Sequence, residues 1–223
     1  MKVNIVNIGC FKNLVDCELL MWQLRSSGVV VEFGNTEVSA DIVVINTCGF
    51  ISDAETDSLN EIQKLVKLKR QGTIGQVWVM GCYGEKMKTD IVKNIPEVDR
   101  VYGNFNWHLI VKEICSQDWI KSDNRIISTP NHYAYIKISD GCNMPCSYCI
   151  KPILNGALKS RPIEAIVKEC EGLAKVGVKE LQIVSQNTTE YGRDLYHKQR
   201  ISELIERLSD IDGIEWIRLH YAY

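Results

Sequence analysis

Cys142, Cys146 and Cys149 fall within eight residues in the pattern CxxxCxxC. A structural zinc site takes four protein ligands, and a bacterial ferredoxin run supplies four cysteines. Three thiolates on one short loop leave a corner of a metal centre open. An open corner is where something other than protein binds, so the spacing reads as a catalytic metal loop.

Three further cysteines end strand-like runs. Cys10 closes the run that starts at Val3, Cys48 the run that starts at Ile42, and Cys82 the run that starts at Val77. In an open α/β sheet, ligands gather beyond the carboxyl ends of the strands, so cysteines placed there can converge on one point. Gly9, Gly49 and Gly81 beside them allow close backbone approach. The count is again three, which suggests a second centre with an open corner. The alternative is that each is a small buried hydrophobe, as free cysteine often is. The other three cysteines read as packing. Cys170 lies at core spacing with Ile166, Val167 and Leu173, Cys17 lies on the Leu14 and Met21 side of its helix, and Cys115 closes a helix.

The elements that must position these residues alternate. Strand patterns at 3–8, 29–33, 42–46, 77–80 and near Val101 are separated by helical patterns beginning near Leu14, at 52–69, 86–93 and 107–115. Continuous apolar strands alternating with helices imply a parallel sheet covered on both faces. A polar stretch at 116–131 is expected as a linker between domains 1–115 and 132–223. A new series follows: strand 133–139, the cysteine loop, helix 162–176, strand 180–184, helix 201–209 and strand 216–220. Its strands alternate. Ala134, Ile136, Ile138, Leu181, Ile183, Ile217 and Leu219 define an apolar face. Lys137, Ser139, Gln182, Gln186, Arg218 and His220 define a polar one. Helices must cover the apolar face, and the polar face then lines a cavity or faces solvent. The fold class is α/β, an open parallel sheet domain followed by part of a second βα array.

Composition bounds the function. With 223 residues, 45% hydrophobic and 24% charged, the chain is ordinary globular material for one large or two small domains. A net charge of −2 provides no global field for nucleic acid. The opening residues form a strand pattern, with no signal-peptide core and no run fit to span a membrane. A cytoplasmic location without membrane association is expected. Nine cysteines is an odd count, and reducing surroundings favour metal ligation over a disulfide framework.

CxxxCxxC with Tyr148 before its last cysteine resembles the radical S-adenosylmethionine enzymes. The runs Ile8 to Glu18, Asn46 to Ile51 and Met80 to Cys82 are similar to the N-terminal domain of the methylthiotransferases in that superfamily. Lys12 to Asp16, Ser185 to Gly192 and Arg218 to Tyr223 resemble the branch that modifies an aspartate of a small-subunit ribosomal protein. The resemblance covers essentially the whole chain. It implies that the second series is the first half of a radical S-adenosylmethionine (β/α) partial barrel, truncated here and too short for full turnover. It implies two [4Fe–4S] clusters, one on Cys142, Cys146 and Cys149 and an auxiliary one on Cys10, Cys48 and Cys82. It also implies S-adenosylmethionine as cosubstrate, with Tyr148, Gln186 and Arg218 as contacts. No catalytic side chain is expected beyond the cluster cysteines. Partners would be the ribosomal protein substrate, an electron donor such as flavodoxin or ferredoxin, and a sulfur donor. Alternatives are methylthiolation of a tRNA adenosine and an iron–sulfur fragment without catalysis. Two positions depart from the family pattern: Cys17 stands where serine is usual, and Asn155 where arginine is usual.

Overall fold

Apolar residues on both faces of the first strands force helices onto both sides of the sheet. The computed structural model describes residues 1–35, 39–120, 122 and 124–223. It divides into two units, Met1–Ile126 and Ile127–Tyr223.

The first unit runs β1 (Lys2–Asn7), α1 (Phe11–Ser26), β2 (Val30–Phe33), β3 (Ala40–Thr47), α2 (Ser52–Arg70), β4 (Ile74–Gly81), α3 (Cys82–Lys86), α4 (Lys88–Asn94), β5 (Arg100–Val101) and α5 (Trp107–Cys115). The strands pair in the order β2-β1-β3-β4-β5, all parallel. The period of two along each strand splits the core. Val3, Ile5, Ile42, Val44 and Met80 pack with Leu20, Leu24 and Ile110 of α1 and α5. Val43, Ile45, Val77 and Val79 face the other way, onto Ile62, Leu65 and Ile91 of α2 and α4. Each such side chain contributes roughly 1.5–3 kcal/mol on burial, so both helical layers are held by the pattern that forms the strands.

Two details differ from the sequence expectation. The helix expected at 86–93 starts earlier, at Cys82, and breaks at Met87 (φ −110°) into α3 and α4. Gly81, at φ +92°, turns the chain out of β4 directly into α3. A substituted residue there would be strained. The segment 116–131 was expected as a linker, yet its described residues up to Ile126 are bound to the first unit. Gln23 exchanges two hydrogen bonds with Ile120, at 2.7 and 2.9 Å. The Ile126 N–H donates to the Glu18 carbonyl at 3.2 Å. Arg125 pairs with Glu18, each side chain only 2% exposed. Lys121 and Asp123 of that segment lie outside the described residues.

The second unit runs β6 (Tyr133–Lys137), β7 (Ser139–Asp140), α6 (Lys151–Asn155), β8 (Lys159–Ser160), α7 (Ile163–Lys175), β9 (Glu180–Val184), a 3-10 turn (Thr188–Glu190), α8 (Ile201–Ser209) and β10 (Trp216–Leu219). Its main sheet is parallel, in the order β10-β9-β6. Ala134, Ile136, Leu181 and Ile183 pack with Ile166 and Cys170 of α7 and Leu204 and Leu208 of α8, and Ile217 and Leu219 join them. The apolar face is therefore the helix-covered one, as the alternation requires. The strand expected at 133–139 is interrupted after Lys137. Ser139 and Asp140 pair antiparallel with Ser160 and Lys159 instead. This two-stranded clasp draws together the two ends of the loop that carries CxxxCxxC.

Candidate metal centres

The cysteine loop is closed at its base. Beyond the β7–β8 clasp, the Cys142 N–H donates to the Gly156 carbonyl at 3.1 Å, and the Leu158 N–H donates to Asn143 Oδ1 at 2.9 Å. Gly141 sits at φ +67°, where a Cβ would lie 1.9 Å from the Ala157 carbonyl oxygen, so no side chain fits. Within the loop the Cys149 N–H donates to the Cys146 carbonyl at 3.1 Å. Cys142, Cys146 and Cys149 line one concavity of about 500 Å³ with Met144, Pro152 and Ala157. All three are free thiols, partly exposed.

Cys10, Cys48 and Cys82 occupy the carboxyl ends of β1, β3 and β4, three neighbouring strands. Cys10 precedes α1, and Cys82 opens α3. Burial pushes the Cys82 thiol above its usual pKa. The Asn104 side chain opposes this, Cys10 and Cys48 reinforce it, and Lys12 lowers it again, so each of these groups lies within electrostatic reach of Cys82. Asn104 Nδ2 lies 3.3 Å from Cys82 Sγ. A Cβ on Gly49 would lie 2.9 Å from the Tyr83 backbone, so that glycine lets the turns after β3 and β4 meet.

Among the described residues no three His, Cys, Asp or Glu side chains stand close enough to grip a single metal ion. A cubane cluster asks for something different, because each thiolate binds a separate iron and the sulfurs stand further apart. Three thiols around an open concavity, without a fourth, fit such a cluster better than they fit zinc. Cys17 belongs to neither set. It is fully buried, burial raises its thiol pKa far above the ordinary value, and its Sγ accepts from Asn46 Nδ2 at 3.2 Å.

The remaining expected site residues are placed as follows. Tyr148 is 86% exposed beside the loop cysteines. Gln186 is buried just past the end of β9. Arg218 lies on the polar face of the sheet and pairs with Glu180 at 2.7 Å. Lys137 of the same face pairs with Asp140 at 3.0 Å, and Arg161, which follows the cysteine loop, pairs with Glu169 at 2.7 Å. His220 Nε2 contacts Gln182 Oε1 at 3.1 Å, and burial, then the Arg218 charge, holds its imidazole below the ordinary pKa. Sequence reasoning missed Asn13, Asn46, Thr47 and Asn104 behind the strand-end cysteines. The available signal was the polar pair Asn46 and Thr47 at the end of an otherwise apolar strand. No helix among the described residues is long and apolar enough to cross a membrane.

Residues 2–103 match the family described as "Uncharacterized protein family UPF0004", and residues 136–222 match the "Radical SAM superfamily". The chain is 49% identical over its full length to the ribosomal protein uS12 methylthiotransferase RimO of Parabacteroides distasonis, covering 52% of that protein. It is 42% identical to the RimO of Cytophaga hutchinsonii, again over its full length and 51% of that protein. The chain thus spans about half the length of the curated relatives it matches. Among solved structures it resembles the radical S-adenosylmethionine methyltransferase TsrM of Kitasatospora setae, with TM-score 0.64 and 15% identity over 95% of this chain and 54% of that one. It also resembles the cobalamin-dependent S-adenosylmethionine radical enzyme OxsB, with TM-score 0.56 and 11% identity over 93% of this chain and 36% of that one. At such identities these likenesses speak for the fold alone. The chain thus carries a UPF0004 region followed by a radical SAM region, and over its whole length it resembles the RimO methylthiotransferases.

Proposed function

We propose that this chain is the N-terminal and first barrel portion of a methylthiotransferase that acts on the β-carbon of an aspartate in ribosomal protein uS12. The observation that carries the reading is the 49% identity, over the whole of this chain, to about half of a RimO protein, together with a three-thiol loop around an open concavity. Cys142, Cys146 and Cys149 would hold the cluster that serves S-adenosylmethionine, and Cys10, Cys48 and Cys82 an auxiliary cluster. Loaded, these centres supply one-electron cleavage of a sulfonium and the exchange of a carbon–hydrogen bond for a carbon–sulfur bond.

The chain's own residues have narrower tasks. The β7–β8 clasp fixes the loop ends, so the three thiols are presented by a closed excursion. Exposed Tyr148 offers a ring for the adenine, and Gln186 a polar side chain at the end of β9 for the amino acid portion of S-adenosylmethionine. Arg218, exchanging Glu180 for an incoming carboxylate, would meet the carboxylate of S-adenosylmethionine or that of the acidic substrate. Domains 1–115 and 132–223 divide the two cluster sites between them. A flavodoxin or ferredoxin as reductant, a separate sulfur donor and a cytoplasmic setting complete the reading.

The test is anaerobic reconstitution of this chain and of a Cys142/Cys146/Cys149→Ala variant. About eight irons falling to about four is the expected result. About four falling to none would remove the auxiliary cluster. The substrate is tested with a protein of the relatives' full length, given uS12 and tRNA in parallel. Mass spectrometry of the aspartate peptide should then show hydrogen replaced by a methylthio group. Modification of tRNA alone would sink the ribosomal reading.

A further inference from the structure

Behind Cys10, Cys48 and Cys82 lies a buried set of uncharged polar side chains that touches every turn carrying them. Asn13 is 6% exposed, and Asn46, Thr47 and Ser58 are fully buried. Asn13 Nδ2 donates to Asn46 Oδ1 at 2.8 Å, and Asn46 Nδ2 donates back to the Asn13 carbonyl at 2.9 Å. This reciprocal pair ties the first turn of α1, just past Cys10, to the end of β3, just before Cys48. Thr47 Oγ1 donates to the Met80 carbonyl at 2.6 Å and accepts from the Gly84 N–H at 3.3 Å. Those two bonds bracket Cys82. Ser58 of α2 accepts from the Cys48 N–H at 3.1 Å and donates to the Cys48 carbonyl at 2.8 Å. Gly81 completes the arrangement, since a Cβ there would lie 2.3 Å from Asn46 Oδ1.

Buried polar groups persist only when hydrogen-bonded, and apolar side chains of similar size would fill the same space with no such requirement. A network that knits three separate turns therefore specifies geometry more than it adds cohesion. We infer that Asn46, with Asn13, Thr47 and Ser58, is a positioning device that sets the mutual placement of Cys10, Cys48 and Cys82. The inference rests on the proposed auxiliary centre for its purpose, but the convergence of the thiols can be read without any cluster.

Phenylarsine oxide reads it. The reagent bridges two neighbouring thiols, forming two arsenic–sulfur bonds with loss of its oxygen as water and no change of oxidation state. The background is the 223-residue chain carrying Cys142/Cys146/Cys149→Ala, with a further Cys48→Ala variant to identify the site. The parent should bind one equivalent tightly. Asn46→Ala and the near-isosteric Thr47→Val should each weaken binding roughly tenfold or more, because each strands buried partners. Thr47→Ser keeps the hydroxyl and should stay within about twofold of the parent. Binding is measured well below each variant's melting temperature, so a lost fold is not mistaken for lost placement. If Asn46→Ala does not fold, the Thr47→Val and Thr47→Ser pair decides. No binding by the parent, or parent-like binding by Thr47→Val, overturns the inference. Iron reconstitution of the same background separates the two readings: intact arsenical binding without iron defeats the auxiliary cluster and leaves the positioning role standing.

Discussion

Cys142, Cys146 and Cys149 are delivered by one closed excursion of the chain, whereas Cys10, Cys48 and Cys82 come from three turns at the ends of three strands. The loop needs little beyond its own ends: a two-stranded clasp, two backbone-directed hydrogen bonds and a glycine with no room for a side chain. The strand-end set depends on the register of a five-stranded sheet and on buried amides and hydroxyls that no single segment contains. A site built on a loop fails when the loop opens. A site built on strand ends fails when any layer of its unit shifts.

The largest effect that separates the two sites should come from the brace on α1. Glu18 and Arg125 form an ion pair with both side chains almost wholly buried, and Cys10 sits at the N-terminus of the same helix. Arg125→Ala removes the guanidinium from a buried carboxylate, which costs about 3–5 kcal/mol. Replacing both residues with leucine should cost much less. Denaturant unfolding measures the difference, and iron content after reconstitution gives its consequence. Arg125→Ala should lose strand-end iron and keep the iron on Cys142, Cys146 and Cys149. Equal loss from both sites would mean that they do not rest on separate scaffolds.

The contrast also explains what was legible in advance. CxxxCxxC is a local signal, and its three cysteines do line one concavity. The strand β3 was legible because its continuous apolar run Ile42 to Ile45 sends alternate side chains into the two cores. The strand-end rule put Cys10, Cys48 and Cys82 at the same edge of the sheet, and the structure shows that their strands are neighbours. What supports them was not legible: Asn46 meets Asn13 only after β1, β3 and α1 assemble. Arg125 looked like a linker residue because its partner lies more than a hundred positions away. The β7–β8 clasp is two residues long on each side, too short for any periodicity to mark.

A smaller effect targets the loop. Gly141 and Gly156 both have positive φ, +67° and +68°, so alanine is strained at either, by about 1–3 kcal/mol. They differ in surroundings: a Cβ on Gly141 would strike the Ala157 carbonyl, while one on Gly156 meets nothing within 4 Å. Gly141→Ala should therefore force the clasp apart and lower iron on the loop cysteines, with strand-end iron unchanged. Gly156→Ala should show the strain alone as a modest drop in melting temperature. Full loop iron in Gly141→Ala would mean that the clasp does not hold the site.

The smallest effect is a difference in acid sensitivity. Asp194 Oδ2 and Oδ1 accept from the backbone N–H and the hydroxyl of Ser160, at 2.8 and 2.6 Å, so one carboxylate grips the β8 side of the clasp. Burial raises its pKa, but the Ser160 hydrogen bonds and nearby backbone N–H groups outweigh this, and the net value lies below its ordinary 3.8. A carboxyl with a depressed folded pKa stabilises the fold above its unfolded value, and that contribution is lost as pH falls through the folded one. The loss should therefore lie below about pH 4. His220 is also depressed, from 6.5, so its contribution has the same sign but begins to fall at higher pH. Asp194→Asn should lower the melting temperature of the second unit at pH 7, and the difference from wild type should shrink as pH falls below about 4. The Asn13, Asn46, Thr47 and Ser58 network contains no group that titrates in this range, so arsenical binding by the Cys142/Cys146/Cys149→Ala background should not change when Asp194→Asn is added. Parallel melting curves for the two proteins across the acid range would show that the Asp194 charge does not hold the clasp.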